Sequence, residues 1–302
     1  MQIDTIQIAE RLPDQRWFGW KGRAVTSVEV LDSAVIDEGD PALVIAIVEV
    51  TLEGSETPIL YQLPLLVDAE GNSRDAFEDV DRMRVFGQHL ATGASLHGEH
   101  GTFRFAGPGL DPLAPLGTVS ARTMGAEQTN TSLVLDEAAI IKIFRRVDVG
   151  NNPDLELTRA LTDDGFDHIP AHVGELVYDG THDDEEISID LCLAQQYFSD
   201  SVEGWSETLK RLHQLYDQID DADVPEDMRF LTEERAGDIL TAVEELGGVT
   251  ASLHVALARE GAATMPVLAT AREDVDPELL PEPITEHDLR TWANATKASF
   301  TA

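Results

Sequence analysis

Residues 42–53 carry the strongest apolar pattern in the chain. Val44, Ala46, Val48 and Val50 alternate with Leu43, Ile45, Ile47 and Glu49. Both sets are apolar until Glu49, so one end of this strand is expected to be covered on both faces. Similar patterns predict strands over 25–36 and 58–67. Asp37-Glu38-Gly39-Asp40 and Glu53-Gly54-Ser55-Glu56 read as the hairpin turns between the three. Residues 75–92 predict a helix carrying Phe77, Val80, Met83, Val85, Phe86 and Leu90, stopped by Gly93. Residues 1–24 are mixed in pattern, and Gly107-Pro108-Gly109-Leu110-Asp111-Pro112 reads as a linker. Beyond it, strands are predicted over 117–124, 131–136 and 138–145. Asn152, Pro153 and Asp154 supply an N-cap, a first helical position and a first-turn acid for a helix ending near Asp163 and Gly165. Strands over 173–178 and 187–198 flank the acidic turn 179–186. From 204 the pattern is helical: 204–219 with Trp205, Leu209, Leu212 and Leu215 on one face, then 230–246 and 247–260. A Pro-rich loop over 276–284 precedes a last helix from about 285. The chain therefore reads as α+β in three parts: a cap over 1–112, a small lobe over 113–198 and a helical part over 199–302.

Lys142 changes this picture. It is one of only four lysines and stands inside Ala138-Ala139-Ile140-Ile141-Lys142-Ile143-Phe144. Lysine is rarely buried without a partner, so it needs a carboxylate, a phosphate, or both in turn. Glu156, fourteen residues later on the predicted helix, is the expected carboxylate. Three strands, a helix and two more strands make the small lobe of a kinase-like fold, in which a strand lysine facing a helix glutamate holds the phosphates of ATP. Two readings of the pair stand: a phosphate-holding pair or a structural ion pair. The loop from Met124 to Ser132 offers backbone N–H groups and the short polar side chains of Gln128, Thr129, Asn130, Thr131 and Ser132, which suit phosphate oxygens. Without Lys142 behind it, this loop would read as an ordinary polar hairpin. Gln195-Gln196-Tyr197-Phe198 ends the last strand, where a kinase hinge presents backbone groups to adenine; Gln196 and Phe198 are the candidates. Arg145 and Arg146, at the exit of the Lys142 strand, read as solvated charges.

Charge narrows the partners. With 21 basic and 57 acidic residues the net charge is −36. That surface repels nucleic acid and anionic lipid, serves colloidal solubility, and still allows a local cationic pocket for ATP. A single cysteine, Cys192 in an apolar segment, excludes an intrachain disulfide and reads as a buried, inert thiol. No signal-peptide pattern and no long apolar run is present, so a soluble, cytoplasmic protein is expected.

Several stretches resemble the maltokinases and the related actinobacterial glucosamine kinases, aminoglycoside-phosphotransferase-like enzymes with an N-terminal cap. They are Gln15-Arg16-Trp17-Phe18-Gly19 with Lys21-Gly22-Arg23, Gly125 to Ser132, Ile141 to Leu161, Asp200 to Trp205, and Thr250 to Leu257. The resemblance implies a cystatin-like cap, a bilobal protein-kinase-like fold, and ATP with Mg²⁺ phosphorylating a sugar. In maltokinase the sugar is maltose.

The family's His-Gly-Asp-x-His loop and its metal-binding Asp have no counterpart here, and Ala302 falls in the helix that precedes that loop. His97-Gly98-Glu99-His100 lies in the cap, and His287-Asp288 reads as a helix cap. His182 with its acidic neighbours reads as a hairpin tip, and His254 as a packed core histidine. Neither a catalytic base nor Mg²⁺ ligands are visible. The chain is therefore expected to be a degenerate or split kinase with a truncated helical lobe, unable to phosphorylate sugar alone. Its expected role is as a partner, with trehalose synthase implied by the family, in trehalose and glucan metabolism. Two alternatives stay open: an active kinase completed by a complementary half, and an interaction module without nucleotide. Exposed apolar helix faces around Leu253, Val255 and Leu257 would imply either a homodimer or a repacked helical domain.

Overall fold

The structure is a computed structural model that describes residues 3–55, 57–107, 120–124, 130–220 and 237–264. The Pro-rich loop and the last expected helix lie outside these residues. The apolar run of the first part becomes β2 (Ala42–Leu52), buried along most of its length on both faces. It sits between β1 (Val25–Asp37) and β3 (Ile59–Val67) in an antiparallel meander. Its Val44, Ala46, Val48 and Val50 pack with Ile8 of α1 (Thr5–Arg11), Leu12, Trp17 and Phe18. Its Leu43, Ile45 and Ile47 join a second, larger core. Each such aliphatic side chain contributes roughly 1.5–3 kcal/mol on full burial, so this one strand anchors two layers.

The helix expected over 75–92 is divided. Residues Ala76–Met83 form a 3₁₀ segment with Asp79 in a non-helical conformation, and α2 covers Arg84–Thr92. Aspartate competes for backbone donors and is a poor interior helix residue, which explains the break. The stop at Gly93 is as expected, in the left-handed region at φ 62°.

The second sheet contains the strands that carry the candidate site. Its order is β5 (Ser95–His97), β6 (Gly101–Ala106), β11 (His172–His182), β12 (Glu185–Gln196), β9 (Ala139–Phe144), β8 (Asn130–Leu135) and β7 (Ala121–Met124). The short β5 and β6 lie on the cap side of the expected linker; β5 pairs with β6 and β6 with β11, so this sheet runs across that point in the sequence. α3 (Pro153–Asp163) starts as expected: Asn152 is the N-cap, its side chain accepting from the Asp154 amide.

Among the described residues the two sheets are joined in several places. The larger core combines Leu43, Ile45 and Ile47 with Leu133, Ile141, Ile143, Leu176 and Cys192. The two-residue β10 (Arg146–Val147) pairs with Tyr61 and Leu60 on the outer edge of β3. The buried amide of Gln62 lies between Phe144 O (3.0 Å) and Leu191 O (2.6 Å), two acceptors, so its nitrogen faces them. The buried carboxylate of Asp32 on β1 accepts from Tyr178 Oη at 3.0 Å and from the amides of Glu99 (2.8 Å) and His100 (3.0 Å). The His97–His100 stretch is thus a backbone clamp on Asp32. Gly98 makes the approach possible, since a Cβ there would lie 2.3 Å from Asp32 Oδ1.

After β12 come α4 (Gly204–Asp220) and α5 (Gly237–Thr264). The two helices expected over 230–246 and 247–260 are one from Gly237 onward. Gly247-Gly248 weakens a helix by about 1 kcal/mol per glycine but does not require a break. On α4, Trp205 and Leu209 are exposed rather than packed. On α5, Val255 is exposed and Ala256 is buried. His254 is also exposed, not a core histidine, because the helix presents it away from the Ala256 side. No helix among the described residues is long and apolar enough to cross a membrane.

Candidate nucleotide-binding site

Strand alternation sorts the site. Residues directly opposite on paired strands share a face. Ser132, Lys142, Leu193 and Glu175 form one such rung. Thr131, Ile143, Cys192 and Leu176 form the next, on the opposite face. The first rung looks toward α3 and the second toward the cap.

Lys142 is only partly buried, with its side chain 27% exposed, and its Nζ lies 2.5 Å from Asp154 Oδ2. The carboxylate expected to hold it was that of Glu156. Asp154 takes that place because α3 begins at Pro153 and lays its first turn by the lysine. Side chains two residues apart on a helix point about 200° apart, so Glu156 turns elsewhere. Glu156 is partly buried and close enough to Asp190 to push that carboxyl's pKa upward. Asp154 is more than half exposed, so a phosphate could displace it from the ammonium without opening the core.

More charge lies along the same face. Glu175 on β11 pairs with Arg159 of α3 and lies 3.1 Å from His172 Nε2. Burial pulls the Glu175 pKa up, but the hydrogen bonds and charges of His172 and Arg159 outweigh it and leave it below the ordinary carboxylate value. Asp190 accepts from the Asn152 amide at 2.7 Å. Burial raises its pKa more than that bond lowers it. Lys142–Asp154, Arg159–Glu175 and Asn152–Asp190 thus fasten α3 to the sheet. Asp190 escaped the sequence reading, and Asp154 was read only as a first-turn acid; the helix start at Asn152 and Pro153 was the available signal for its place by Lys142.

The loop residues separate. Gln128 and Thr129 lie outside the described residues. Asn130, Thr131 and Ser132 belong to β8 rather than to a loop. Ser132 is buried on the lysine's face, while Thr131 faces the cap and its hydroxyl accepts from Arg145 Nε at 2.8 Å. As a phosphate ligand, the Thr131 side chain is on the wrong face. At the end of β12, where a hinge was expected, the Gln196 amide donates to Ala171 O (2.9 Å). The Phe198 carbonyl accepts from the Ser201 amide (3.2 Å) and hydroxyl (2.8 Å). Those two backbone groups are engaged within the chain, because β12 ends in a turn there; the Phe198 ring is exposed. Beside them Arg122 of β7 bonds Glu137 and Tyr197 Oη and stacks 5.3 Å from the Tyr197 ring.

Arg145 was expected at the surface and is 1% exposed. Its side chain follows Ile141 and Ile143 on the cap face. Burial depends on partners distant in sequence: Asp75, Trp17 and Phe77. The alternation was the one local signal. Arg146, by contrast, is exposed. Cys192 is fully buried, and burial pushes its thiol pKa up, as an inert core cysteine requires. Among the described residues no group of three or more His, Cys, Asp or Glu is placed to hold a metal.

Residues 12–101 match the maltokinase N-terminal cap domain. A glucosamine kinase structure (crystal form A) aligns at TM-score 0.52 and 19% identity, covering 98% of this chain and 63% of that one. A second (crystal form B) aligns at TM-score 0.52 and 17% identity, covering 78% and 47%. A third, titled as a complex with glucosamine, ADP and inorganic phosphate, gives TM-score 0.49 and 18% identity, covering 78% and 45%. The chain thus spans between 45% and 63% of the length of these structures. A cap domain of the maltokinase type, followed by strands and helices in the fold of the glucosamine kinases, bears out the resemblance read from the motifs.

Proposed function

We propose that this chain is the cap and ATP-binding lobe of a maltokinase-like sugar kinase. The observation that carries the reading is Lys142: a central-strand ammonium, partly open, whose counter-charge Asp154 stands at the solvent side of α3. A phosphate arriving on that face would meet a cation already oriented by the sheet. ATP therefore supplies the anion that Lys142 holds, with Asn130 on the same side of β8 by alternation. Mg²⁺ would come with the nucleotide and would neutralise phosphate charge. The sequence carries no His-Gly-Asp-x-His loop, so this chain alone should bind nucleotide without phosphorylating maltose or glucosamine. Turnover would need a complementary helical polypeptide, and trehalose synthase is a candidate partner through the cap. A cytoplasmic setting goes with these substrates.

Calorimetric titration with Mg·ATP tests this. Binding that disappears in Lys142→Ala supports it. No heat at millimolar Mg·ATP sinks it and favours a second reading, for which the 2.5 Å Lys142–Asp154 contact speaks. There the pair is structural and the chain is an interaction module. Adding the complementary polypeptide in a maltose phosphorylation assay separates the split kinase from a degenerate one.

A further inference from the structure

Arg145 has no part in holding nucleotide, yet it is among the largest fully buried side chains. Its Nη2 donates to Asp75 Oδ1 at 3.1 Å, and its Nη1 lies 2.8 Å from Asp75 Oδ2 in ion-pair range without a hydrogen bond. Its Nε donates to Thr131 Oγ1 at 2.8 Å. The guanidinium stands 4.7 Å from the Trp17 ring centre and 5.0 Å from that of Phe77. Its own carbonyl accepts from the Gln62 amide at 2.8 Å. Asp75, Trp17, Phe77 and Gln62 belong to the cap; Thr131 belongs to β8.

A buried ion pair is a poor device for stability alone, since apolar replacements of equal volume are often neutral or better. What a guanidinium adds is direction: a rigid planar fork that fixes its acceptors relative to one another. Here the fork fixes Thr131 relative to Asp75. Thr131 pairs with Ile143, and the adjacent rung is Ser132 with Lys142. We propose that Arg145 is a positioning residue through which the cap sets the β8–β9 pair, and with it the ammonium of Lys142. For what Lys142 holds, this rests on the nucleotide-binding reading above; the coupling itself does not.

Two variants of the full chain test it. Arg145→Lys keeps the charge beside Asp75 and loses the fork to Thr131. The double variant Arg145→Met/Asp75→Asn removes both charges at nearly constant volume and keeps an acceptor for the Phe77 amide. Amide hydrogen exchange is followed in the nucleotide-free protein, and Mg·ATP is titrated in parallel. In both variants, amides of residues 130–135 and of Lys142 should exchange faster by about tenfold while those of β2 hold their wild-type rates. The Kd for Mg·ATP should rise severalfold. Wild-type exchange along β8 in the double variant overturns the proposal, as does uniform acceleration that includes β2, because either makes the guanidinium mere packing. If the wild-type chain binds no Mg·ATP, the nucleotide reading fails, and the exchange comparison still decides the coupling.

Discussion

β9 and its exit carry two cations three residues apart, and they lead opposite lives. Lys142 faces α3, is partly open and has an exposed carboxylate for a partner. Arg145 faces the cap, is closed, and is held by a carboxylate, a hydroxyl and two aromatic rings. Three residues reverse the face of a strand, so adjacent code reaches separate environments. An open cation with a replaceable counter-ion suits a ligand that comes and goes. A closed one held on several sides suits alignment.

The largest expected effect lies on the closed side. Arg145→Ala should cost about 3–5 kcal/mol in urea unfolding, because it removes a buried guanidinium with its ring contacts and leaves the largely buried Asp75 carboxylate with the Phe77 amide but no counter-charge. Lys142→Ala should cost at most about 1 kcal/mol, since its pair is half solvated. Equal losses would erase the distinction between the two cations. Next comes salt. A net charge of −36 makes the folded surface repel itself, and 1 M salt shortens the screening length to about 3 Å. The melting temperature should rise by several degrees, about 5 °C, between 0.05 and 1 M NaCl. Arg145→Ala should show the same rise, since its defect is internal. The smallest effect concerns acid. Glu175 has a depressed pKa when folded. It therefore stabilises the fold above its unfolded pKa, and that contribution disappears as pH falls through the folded value. Glu175→Gln should flatten the stability-versus-pH curve below about pH 4.5. An unchanged slope would mean that the Arg159 and His172 contacts do not persist in solution.

The lysine was legible because it is rare and stands in an apolar run, where only an anion makes sense of it. The helix start at Asn152 and the stops at Gly93 and Gly165 were legible because capping chemistry is local. Arg145 was not, since Arg145-Arg146 at a strand end looks solvated. Its burial is decided by Asp75 and Trp17, which are 70 and more residues away. The same holds for Asp154 over Glu156: both are acids at the start of one helix, and the choice is set by how α3 seats on β9. β5 and β10 are too short to show a period, and β6 alternates but finds its partner β11 about 70 residues away, so the joining of the two sheets could not be read from pattern.

β10 is only two residues long, but it has a consequence for biosynthesis. Its pairing with Tyr61 and Leu60 spans some 85 positions of sequence, and β6 waits for β11 over a similar stretch. While the ribosome is still making residues 107–145, the emerged cap has the Leu60–Tyr61 part of the β3 edge unpaired and an uncovered apolar side on β2. Such an intermediate is prone to pair with its neighbours on a polysome. The N-terminal part should therefore remain immature until about residue 180 has left the exit tunnel, and then close together with the strands that follow.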